Sequence, residues 1–90
     1  MIDDRLMLEI CSATALGILD ARGMMDAPEL MDRVNHAVGT NHPTSYLWRI
    51  MEYPSPGRWF SMDWDNEWQG GVHRFHVVVD LTEEAREMIG

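Results

Sequence analysis

Lysine is absent from the 90 residues: all seven basic side chains are arginine, against 15 acidic ones, for a net charge of −8. Affinity for nucleic acid rests chiefly on Lys and Arg neutralising phosphates, so this balance counts against a DNA- or RNA-binding role. It suits a well-solvated surface, or attraction to a basic protein partner. Cysteine is nearly absent too. Cys11 alone can make no internal disulfide, and its setting among Ile10, Ala13 and Ala15 reads as a buried, inert thiol. No apolar run approaches the ~18 residues of a membrane span. The acidic start, Asp3 and Asp4, is the reverse of the basic opening of a secretory signal. A cytoplasmic protein without membrane association is the expectation.

The common catalytic motifs are missing as well. There is no glycine-rich phosphate loop, no nucleophile elbow and no lysine for Schiff-base chemistry. His73 and His76 are three apart, which on a strand puts them on opposite faces; His36 and His42 lie elsewhere, so no zinc set converges. Asp63, Asp65 and Glu67 have the opening spacing of a calcium loop. However, its sixth and twelfth positions would be Trp68 and Arg74 instead of Gly and a carboxylate. The chain is therefore expected to be non-enzymatic, with no catalytic residue, metal or cofactor.

What is present is enough for an ordered core. Hydrophobic residues make up 46% of the chain, with four Trp, two Tyr and two Phe, which argues against disorder and for one domain over residues 1–90. Leu8, Cys11, Ala15, Ile18 and Leu19 recur at helical spacing and predict a helix from Asp4 to Arg22, with Gly23 as C-cap. Asp26 as N-cap, Pro28 in the first turn and Glu29 closing an acidic capping box predict a second helix. Its apolar face is Leu30, Val34, Ala37 and Val38, and it ends at Gly39. After a loop at 40–43, Thr44 or Ser45 caps a third helix through Tyr53. Its rival is a strand in which Tyr46, Trp48 and Ile50 alternate.

Pro54-Ser55-Pro56-Gly57 breaks the chain, and the period then changes to two. Phe60, Met62 and Trp64 alternate with Trp59, Ser61 and Asp63, and a turn is expected over Asp65 to Gly71. Val72 to Leu81 reads as a strand with Phe75, Val77, Val79 and Leu81 on one face, and Thr82 caps a closing helix behind Glu83 and Glu84. Met24-Met25 falls in a loop. The fold class is thus α+β: three helices, an antiparallel hairpin and a short C-terminal helix.

That order resembles a winged helix-turn-helix domain. Thr14–Gly23 resembles the first helix of PadR-type regulators, Met51-Glu52 the pair closing their recognition helix, and Phe75–Arg86 their second wing strand and the start of the helix beyond it. The resemblance implies a DNA-binding transcriptional regulator acting as a homodimer, with Arg49, Arg58 and Arg74 as its contacts. The sequence departs from the pattern: Tyr46 is one residue out of step, and the last helix stops at Gly90 rather than running on to dimerise. The wing carries Asp63, Asp65 and Glu67 where phosphates would lie.

The stretch Trp59…Trp68 holds three Trp and three acids in ten residues. Trp is a preferred interface anchor, and acids around it suit a basic protein surface. Trp59, Asp63, Trp64, Asp65, Glu67 and Trp68 are the expected protein-binding residues, with packing into a small core as the plainer alternative for Trp59 and Trp64. The leading expectation is an acidic interaction module of winged-helix type. Its composition is like that of phage- or mobile-element-encoded inhibitors such as anti-CRISPR proteins, some of which mimic DNA by presenting carboxylates in its place.

Overall fold

The computed structural model describes residues 3–90, with the side chains of residues 65–69 and 72–75 outside the description. Among these residues the chain folds as α+β, with four helices and a three-stranded antiparallel sheet. α1 (Asp4–Arg22) is capped by Asp3, whose carboxylate accepts from the Leu6 N–H at 2.7 Å. β1 (Met25–Asp26) follows, then α2 (Ala27–Val38), a 3-10 turn at Thr44–Tyr46 and α3 (Leu47–Met51). The hairpin is β2 (Phe60–Gln69) and β3 (Val72–Leu81), and α4 (Glu83–Ile89) closes the chain.

Several expectations are corrected. The third segment is helical rather than a strand, but it is a 3-10 turn joined to a five-residue α3, and neither Thr44 nor Ser45 caps it; Pro43 stands at its start. Helix two begins where Pro28 places it, yet Asp26 makes no side-chain cap. Glu29 bonds Arg33 one turn on, so the capping box does not form. Asp26 stands at the N-cap position and is also the last residue of β1, a strand that the loop reading of Met24-Met25 missed. Ala37, expected on the apolar face of helix two, is exposed. The expected turn at 65–71 is much tighter, because the ladder runs on to Gln69↔Val72 and only Gly70-Gly71 turn the chain. Both glycines have positive φ, 55° and 78°, as a two-residue turn matching strand twist requires.

The core is one contiguous cluster. Cys11, Ala15 and Leu19 of α1 meet Leu30, Met31 and Val34 of α2 and Leu47, Ile50 and Met51 of α3, against Phe60, Val79 and Leu81 of the sheet. Burying an aliphatic side chain of this size contributes roughly 1.5–3 kcal/mol. β3 lies in the middle of the sheet, order β1-β3-β2, but β1 reaches only Val78 and Val79. Beyond that point, among the described residues, β2 and β3 pair with each other alone, so the distal hairpin is a two-stranded ribbon.

Polar groups tie down the loops. Asn35 is the hub behind α2: its Oδ1 accepts from the Thr40 hydroxyl (2.8 Å) and the His42 N–H (2.9 Å), and its Nδ2 donates to the His42 carbonyl (2.9 Å). Gly39, at φ 80° and ψ 33°, is the left-handed residue that lets the chain turn into that loop. The Thr82 hydroxyl accepts from the Ala85 N–H (3.1 Å) and donates to the Arg58 carbonyl (2.6 Å), fixing α4 at the foot of the hairpin. Arg86 grips both carboxylate oxygens of Asp80 at 2.9 Å.

Candidate interaction surface at the foot of the ribbon

Phe60, Met62 and Trp64 share one face of β2, and along them the face leaves the core. Phe60 is 2% exposed, Met62 36% and Trp64 57%. The ring of Trp64 is met by Trp48 from α3, with centroids 6.3 Å apart and planes 24° from parallel. Trp48 is itself 41% exposed. α3 turns Leu47, Ile50 and Met51 inward, and Trp48, one residue past Leu47, lies about 100° round the helix from it. This pairs two large apolar side chains largely in water.

Beside the pair lies an open cleft of about 370 Å³. Trp48, Met51 and Glu52 form one wall, Phe60, Ser61 and Met62 of β2 the other, and Pro56-Gly57 complete the lining. Glu52 and Asp63 are exposed, and neither makes an ion pair with a described residue. An aromatic surface with the uncompensated Glu52 carboxylate in its lining can take up an apolar side chain and a cation together.

The expected site is partly assembled here. Trp64 stands at this surface; Asp63, one residue before it in β2, is exposed on the opposite face of the ribbon. Trp59 is half-buried, packed on the core and edge-on to Tyr53 (5.7 Å) and Phe60 (6.3 Å), so its immediate role is in packing. The side chains of Asp65, Glu67 and Trp68 lie outside the described residues, although their backbone continues β2, with Glu67 opposite Arg74 in register. Trp48, Met62 and Glu52 were not anticipated. Trp48 had a legible signal, since it is a large apolar residue off the core stripe of a short helix.

The arginines proposed for DNA are dispersed in their attachments. Arg49 is exposed and lies over the Tyr46 ring at 5.6 Å, itself stacked on His42 at 4.1 Å. Arg58 faces Glu84 at 3.4 Å, and Arg74 has its side chain outside the described residues. Burial pushes the Cys11 thiol up from its ordinary value, which suits a packing role and not a nucleophile. Among the described residues no three His, Cys, Asp or Glu side chains come together to hold a metal ion, and no helix is long and apolar enough to cross a membrane. No family model, curated protein or solved structure matches the chain.

Proposed function

We propose that this chain is a non-enzymatic interaction module of winged-helix type that binds a basic protein surface through the foot of its β2–β3 ribbon. One observation carries the reading: the stacked, exposed Trp48–Trp64 pair beside an open cleft, with Glu52, unpaired among the described residues, in its lining. Folding alone does not call for two half-exposed indoles, and contiguous apolar surface rimmed by charge marks interaction sites. The order of three helices and a hairpin, with β1 added to the sheet, supports the winged-helix assignment. The net charge of −8 supports a basic partner, and with it an inhibitor that occupies the nucleic-acid groove of another protein. The DNA-binding alternative has weaker support, since Arg58 already faces a carboxylate.

The test is capture from the native host with the wild-type chain and with the Trp48→Ala/Trp64→Ala variant. A partner held by the first and lost by the second, with both chains folded, is the expected result. A low-salt gel shift with genomic DNA, about 50 mM salt being where phosphate contacts are strongest, together with undiminished capture by the variant, would overturn it.

A further inference from the structure

We infer that the partner is bound as an extended strand added to the outer edge of β2; this rests on the surface proposed above and specifies how it is used. Among the described residues β2 has a neighbouring strand on one side, β3, and none on the other. The Thr82 N–H donates to the Trp59 carbonyl at 3.0 Å, which fixes the parity of the ladder. Residues 59, 61 and 63 turn their backbone groups toward β3, so the N–H and C=O of Phe60 and Met62 point away from it. That edge forms one wall of the cleft. A peptide lying there would gain main-chain hydrogen bonds from Met62 and side-chain contact from Met62 and Trp48.

The pleat dictates the chemistry of the occupant. Side chains on the Met62–Trp64 face of an added strand meet methionine and indoles, and those on the other face meet Ser61 and Asp63, with Asp65 and Glu67 following at two-residue steps in the sequence. The matching segment alternates apolar and basic residues. A second copy of β2 is a poor occupant, because antiparallel pairing would set acids opposite acids. An eight-residue segment spans roughly 26 Å, within the reach of this ten-residue strand.

The probe is a capped octapeptide alternating valine and arginine, titrated into the full chain by NMR. Two derivatives carry N-methyl groups on the valine amides or on the arginine amides. Strand addition uses one set of amides only. One methylated peptide should therefore lose affinity by at least about tenfold while the other binds as the parent, and the Met62 amide should become protected from hydrogen exchange. Equal binding by both derivatives, with the Trp48 and Trp64 indole signals still shifting, would overturn strand addition and leave the aromatic-acidic surface standing. No binding and no indole shift would overturn both.

Discussion

The core of the helical base and the foot of the ribbon treat apolar side chains in opposite ways. In the core, Leu30, Val34, Ile50 and Val79 are fully enclosed, and helical or strand periodicity accounts for their positions. At the foot of the ribbon the strand alternation carries on past the end of the core and leaves Met62 and Trp64 in water, where Trp48 of α3 stacks on Trp64. The first pattern is a requirement of folding. The second is not, and an isolated two-stranded ribbon gains little stability of its own in water. Side chains that folding does not need are the ones to examine for function.

The contrast can be broken most severely in the base. Ile50→Ala removes a fully buried side chain between α3 and the sheet and should cost about 2–5 kcal/mol, read in denaturant unfolding. A smaller loss is expected at Asn35, whose two ends hold the loop at 40–42. Asn35→Ala leaves the His42 N–H without its acceptor and should cost about 1–3 kcal/mol. A loss near zero there would mean that water replaces the hub.

Alkaline pH probes the base from another direction. Burial raises the Cys11 thiol above its ordinary 9.0, and Tyr46 and Tyr53 are raised above 10.0. Burial is again the first cause for both, with Cys11 adding at Tyr46 and the Glu9 carboxylate at Tyr53. Each group is held neutral in the fold. Its contribution is therefore complete below the unfolded value and is lost as pH climbs through the folded one. Stability should be insensitive to these groups at pH 7–8 and decline above about pH 9, in a pH series of thermal melts. The smallest effect, and the only gain, is expected at Gly17. It sits exposed inside α1 with open space where a Cβ would go, so Gly17→Ala should raise stability by up to about 1 kcal/mol.

The sequence was legible where one residue type had one physical use. Gly23, Pro28, Gly39 and Thr82 mark helix ends and stand there in the structure, and the β3 alternation puts Val79 and Leu81 in the core. It was misleading where long-range pairing decides. β1 is two residues long and exists only because Val78 and Val79 offer it a partner. Asp65-Asn66-Glu67 are poor strand formers and read as a turn, yet their backbone is laddered to 74–76. The surface was half legible: the Trp and acid cluster pointed to β2, but its partner across the cleft, Trp48, comes from α3, and no local pattern links residues 16 apart in the chain.

The most direct measurement compares stability and binding in the single variant Trp64→Ala. If the indole belongs to an interaction surface, its removal should lower unfolding free energy by no more than about 1 kcal/mol, in keeping with a half-exposed stacked pair. Affinity for the basic partner should fall at least about tenfold, the loss expected of an interface anchor. A loss of several kcal/mol in stability with unchanged affinity would contradict the central claim, because it would return Trp64 to the core.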